Sequence, residues 1–140
     1  MDTYAIKPHV GVGPIDLLMS RADVHRVLGK PRRVSAERET FLDGFFVDFD
    51  AEGRVEFIEL AQGARFRGLF HGVCLHELPA EEAVAFVSRY GEYDANHLEL
   101  GYSYIFVDLQ LSLWRGTLDR RFEAVGVAVD GYFAPRKKGD

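Results

Sequence analysis

The chain carries a single cysteine, Cys74, in 140 residues. An intrachain disulfide is excluded, and without a Cys/His spacing of zinc-finger type nothing points to a stapled or metal-nucleated fold. No stretch approaches the ~18 consecutive apolar residues of a membrane-spanning helix, so no membrane partner is expected. Met1–Pro8 holds no basic leader, no long apolar segment and no cysteine for lipidation; the expected address is cytoplasmic. Positive charge is also short, with 17 Lys and Arg against 22 Asp and Glu for a formal net charge of −5. That balance disfavours attraction to a phosphate backbone, and direct nucleic-acid binding is not expected. Gly11-Val12-Gly13 lacks the Gly-Lys-Ser/Thr that completes a phosphate loop, so it reads as a turn and no cofactor is expected.

What is present is globular. With 47% hydrophobic residues, a chain of this length supports one domain that buries roughly 68–70% of its unfolded surface. Residues 1–134 are read as that domain and 135–140 as a flexible tail. Ser20-Arg21-Ala22-Asp23 has the form of a helix N-cap with an acid three positions on. Val24, Val27 and Leu28 then share a helical face that Gly29 and Pro31 end. From Thr40 the period becomes two: Phe45, Val47 and Phe49 alternate with Phe46, Asp48 and Asp50, and Asp50–Gly53 turns the chain into Val55–Leu60. A second helix follows Pro79, and strand patterns return between His97 and Val129.

The order of helix and strands over about 10–60 is met again over about 70–132, which suggests an internal duplication. The expected fold class is therefore α+β, with two related helix plus antiparallel β-hairpin units packed as one compact two-layer domain.

Gly13-Pro14-Ile15-Asp16-Leu17-Leu18-Met19-Ser20-Arg21-Ala22-Asp23-Val24, closed by Leu28-Gly29-Lys30-Pro31 and followed by the hairpin through Val47–Val55, resembles proteins of the BamE and beta-lactamase-inhibitor-protein type. The likeness covers residues 13–60. It implies a two-layer unit of helices on an antiparallel sheet, often doubled, that serves as an inhibitor or assembly factor without catalysis. The lipoprotein members of that group carry a signal and a lipidated cysteine, and neither is read here. In size, charge and lack of an export signal the chain is also similar to bacterial immunity proteins.

Seven acids fall between residues 39 and 60, with Arg54 the single base in that stretch. Asp43, Asp48, Asp50 and Glu56 are the candidate partner-binding carboxylates, since an acidic surface of this density speeds association with a basic protein. The same pattern suits a solvated outer sheet face. Phe46, Tyr102, Trp114 and Arg115 are candidate hot-spot residues beside them, because aromatics and arginine dominate interface energetics. His71, Cys74 and His76 have the residue types of a soft-metal site or a nucleophile pair, but no fourth ligand or orienting group accompanies them. No metal and no catalytic residue are assigned. The expected function is non-catalytic recognition of a protein, such as a basic toxin or enzyme, by an inhibitor or immunity-type protein. The alternative is a small-ligand-binding protein or weak enzyme using a cleft between the two halves.

Overall fold

A computed structural model describes residues 2–63 and 65–134; the expected tail at 135–140 lies outside them. The chain opens with β1 (Asp2–Lys7), β2 (Gly11–Val12) and β3 (Ile15–Asp16), followed by α1 (Arg21–Leu28). Four strands come next, β4 (Arg33–Ser35), β5 (Arg38–Phe41), β6 (Phe45–Phe49) and β7 (Val55–Ala61), and then β8 (Phe66–Leu69). A 3₁₀ turn at Leu75–Glu77 leads into α2 (Ala80–Val87), and β9 (Ser103–Phe106), β10 (Leu111–Trp114) and β11 (Ala124–Ala128) complete the chain.

The expected two-layer α+β repeat is corrected by this arrangement: the protein is mostly β. Seven strands form one antiparallel sheet in the order β4-β5-β6-β7-β11-β10-β9, and four form a second sheet in the order β3-β2-β1-β8. The two helices span only eight residues each, about two turns, too short to make a layer of their own. Two segments without a strand pattern in the sequence pair as strands. Arg33–Ser35, polar and exposed, is held by its ladder to Arg38–Thr40. Phe66–Leu69 pairs in parallel with Asp2–Ala5, so the first strand is internal to its sheet.

Alternation decides the faces of the large sheet. Phe45, Val47 and Phe49 of β6 point into the core with Phe41, Ile58, Leu60, Leu111, Leu113, Val125 and Val127. The small sheet closes over that face: the Tyr4 ring meets Phe45 edge-on at 5.8 Å, and Phe66 meets Phe45 at 6.0 Å. Each helix adds a narrow stripe, Val24 from α1 and Ala83 with Val87 from α2. Ser20 caps α1 through the Asp23 N–H at 3.2 Å, and Gly29, at φ 83°, ends it. The two halves of the chain meet where β7 pairs with β11, Leu60 opposite Val125. His76, only 3% exposed, presents Nε2 to the Leu60 carbonyl at 3.0 Å on that seam.

Candidate functional site

The opposite face of the large sheet is not covered by the small sheet, and register fixes what it displays. Arg38 of β5 lies opposite Asp48 of β6, and Phe46 lies opposite Glu59 of β7. The Arg38 guanidinium donates to both Asp48 oxygens, at 2.6 and 3.1 Å, and to Glu59 Oε1 at 3.1 Å. It also sits 5.0 Å from the centre of the Phe46 ring. These contacts hold its proton more tightly than usual, the Asp48 hydrogen bond above all.

A β-bulge shapes the end of this face. Phe57 pairs with Asp48 and Val55 with Phe49, which leaves Glu56 as the extra residue. Burial raises the Glu56 carboxyl above the ordinary carboxylate range, and Asp50, Glu37 and Asp48 push it the same way. No ion pair to Glu56 exists among the described residues. Tyr132 stacks on Phe57 at 5.3 Å between ring centres, nearly parallel, and Phe133 meets Phe57 edge-on at 5.9 Å. Burial raises the Tyr132 hydroxyl, helped by the charges of Asp48, Glu56 and Glu59. The result is an aromatic strip, Phe46, Phe57 and Tyr132, set among acidic groups, with the Arg38 guanidinium inside the cluster.

The other side of Phe57 explains a glycine. A Cβ on Gly126 would lie 2.5 Å from Phe57 Cζ, so only glycine lets the ring lie flat across β11.

The candidate carboxylates do different jobs. Asp43 is exposed and paired with Arg32 at 2.5 Å. Asp48 is bound by Arg38, whereas Asp50 accepts the Glu52 and Arg54 N–H groups at 2.9 Å and so builds the hairpin turn. Glu56 alone of the four is uncommitted. Phe46 stands in the patch; Trp114 lies on the same face, its partner Ala124 being opposite Ala61, but three strands away on β10, and Tyr102 and Arg115 do not accompany it. Trp114 pairs with Ser103 on β9, while the Arg115 N–H bonds the Tyr102 carbonyl, so successive residues send Trp114 and Arg115 to opposite faces. Trp114 and Tyr102 are 42% and 41% exposed.

No family model, curated protein or solved structure matches this chain.

Other candidate groups are also separated. His71 stacks on Tyr90 at 3.9 Å, His76 is bound to the β7 backbone, and Cys74 is buried, its thiol raised mainly by that burial. Among the described residues no three His, Cys, Asp or Glu side chains gather to hold a metal ion, and no helix is long and apolar enough to cross a membrane. Sequence reasoning missed Arg38, Glu59, Phe57 and Tyr132 as members of the open-face patch. It counted Glu39 as one acid among seven; the carboxylate is in fact buried at 4% exposure, where Arg21 Nε at 2.9 Å and His25 Nε2 at 2.5 Å pin α1 to the sheet.

Proposed function

We propose that the protein is a non-catalytic binding module that engages a basic protein through the open face of its large sheet. One observation carries the reading: Glu56, the bulge residue, has no ion pair among the described residues and sits where Asp50, Glu37 and Asp48 raise its carboxyl, beside the exposed ring of Tyr132 and the partly exposed ring of Phe46. Such crowding costs stability in the free protein. A lysine or arginine brought by a partner relieves it, and the rings of Phe46 and Tyr132 supply the apolar contact that a charge patch lacks. Inhibition would be steric and electrostatic, in keeping with the net charge of −5. An inhibitor or immunity-type protein acting in the cytoplasm on a toxin or enzyme is the finer form of this proposal.

Glu37→Gln with Glu56→Gln removes charge without touching the Arg38 bonds or the Asp50 turn. Protein captured from a cell extract on immobilised wild type is compared with that on the double variant, followed by association rates for the recovered partner. The proposal expects a basic partner whose association with the variant is at least threefold slower and less sensitive to salt. Equal capture and equal rates would defeat it.

A further inference from the structure

We propose that a second site, the cleft at the start of α2, binds a small phosphate-bearing anion. It is independent of the acidic face. The cleft encloses about 460 Å³ and is lined by Pro79 and Ala80 of the helix start, by Tyr104, and by Arg115, Arg120 and Arg121. That volume lies within the range of small-ligand sites, ~300–1,000 Å³.

Three arginines converge on it, and one is fixed in advance. Arg115 donates from Nε to the Gly101 carbonyl at 2.8 Å and from Nη1 to the Arg120 carbonyl at 2.9 Å, and its guanidinium lies 5.4 Å from the Phe122 ring centre. No hydrogen bond from its Nη2 exists among the described residues, so one arm of the fork remains to be used. Arg121 is exposed and has no ion pair among the described residues; Arg120 holds only Glu123 at 3.1 Å on an open surface. Pro79 offers no side-chain cap, so the first-turn N–H groups of α2 lack a capping side chain at the edge of the cleft, with Glu81 and Glu82 the acids of that turn.

Two carboxylates also border the cleft, Glu81 and Asp119. Asp119 is occupied by the Thr117 hydroxyl at 2.7 Å, and Glu81 stands exposed on the helix. With Glu123 on Arg120 the acids near the cleft number three, but Arg115 and Arg121 hydrogen-bond no carboxylate among the described residues, which leaves these two guanidinium groups for an anion. Several donors suit the several oxygens of a phosphate better than the two of a carboxylate. The concave shape and the overall charge of −5 favour a small ligand over a polyanion. Tyr104 and Leu118 give an organic substituent an apolar wall.

The test is a titration of the whole protein, followed by amide and arginine Nε NMR signals, with inorganic phosphate and with phenyl phosphate against sodium chloride at equal ionic strength. Saturable shifts at Ala80, Glu81 and Arg115 with a Kd of about 1 mM or tighter support the site. Tighter binding of phenyl phosphate assigns it to a phosphoester, and equal binding to free phosphate. Arg121→Gln, at an exposed position, is expected to weaken binding about tenfold with an unchanged circular dichroism spectrum. Arg33→Gln, on the exposed strand β4, is expected to leave it unchanged. Shifts that follow chloride equally, or that survive Arg121→Gln, overturn the proposal.

Discussion

Arg38→Gln tests the electrostatic design of the open face directly. The substitution removes three hydrogen bonds to carboxylates, two to Asp48 and one to Glu59, and leaves those acids 18% and 21% exposed without a cation. Breaking a fully buried ion pair from one side costs ~3–5 kcal/mol. Arg38 itself is 36% exposed, so solvent screens part of the interaction, and a cost of about 2 kcal/mol is expected. The unfolding constant would rise roughly thirtyfold. Urea denaturation followed by circular dichroism measures it, and the single tryptophan, Trp114, provides a second probe. Asp48→Asn in the Arg38→Gln background should cost less than it does alone, with a coupling of about 1 kcal/mol. A penalty under ~0.5 kcal/mol at neutral pH, or no coupling, would refute the argument and reduce the cluster to an ordinary surface pair.

Glu56→Gln should stabilise the protein at neutral pH by about 0.3 kcal/mol. The wild-type carboxyl titrates above its unfolded value, so the folded state binds more protons, and stability falls as pH rises through that interval; urea midpoints at two pH values check the sign. His76 works in the opposite sense. Burial lowers its imidazole below the ordinary 6.5, so its share of stability is complete above that pH and is lost as pH falls toward the folded value. A His76→Gln variant should show a flatter stability profile between roughly pH 5 and 7. Gly126→Ala should cost about 1–3 kcal/mol by displacing the Phe57 ring, and the loss should fall sharply in the Phe57→Leu background, read by thermal melts.

Local pattern carried far in this chain where it was strong. The cap at Ser20, the stop at Gly29 and the alternation of Phe45, Val47 and Phe49 all have direct counterparts in the structure. The fold class failed where pairing, not composition, makes the strand. Arg33–Ser35 has exposed side chains throughout, and Phe66–Leu69 is recruited by a strand at the other end of its half. The open face required cross-strand register: Arg38, Asp48 and Glu59 are neighbours only once β5, β6 and β7 are aligned. Tyr102 and Trp114, grouped as hot-spot aromatics, lie in different segments, and the ladder sets Trp114 opposite Ser103 rather than Tyr102. The adjacency of Trp114 and Arg115 did contain the signal, since successive strand residues point apart. Glu56 depends on a bulge that no pattern of period two announces.

The seam between β7 and β11 has a consequence for synthesis. The seven residues of Val55–Ala61 are complete when barely half the chain has been made, yet their outer partner is the last strand. Until Ala124–Ala128 arrives, β7 offers a row of open backbone groups backed by Ile58 and Leu60. A nascent or truncated chain that stops short of β11 therefore carries an edge ready to accept the final strand of another copy. Ribosome stalling and nonsense truncation in the last segment would favour strand-exchanged dimers or aggregates over a partly folded monomer.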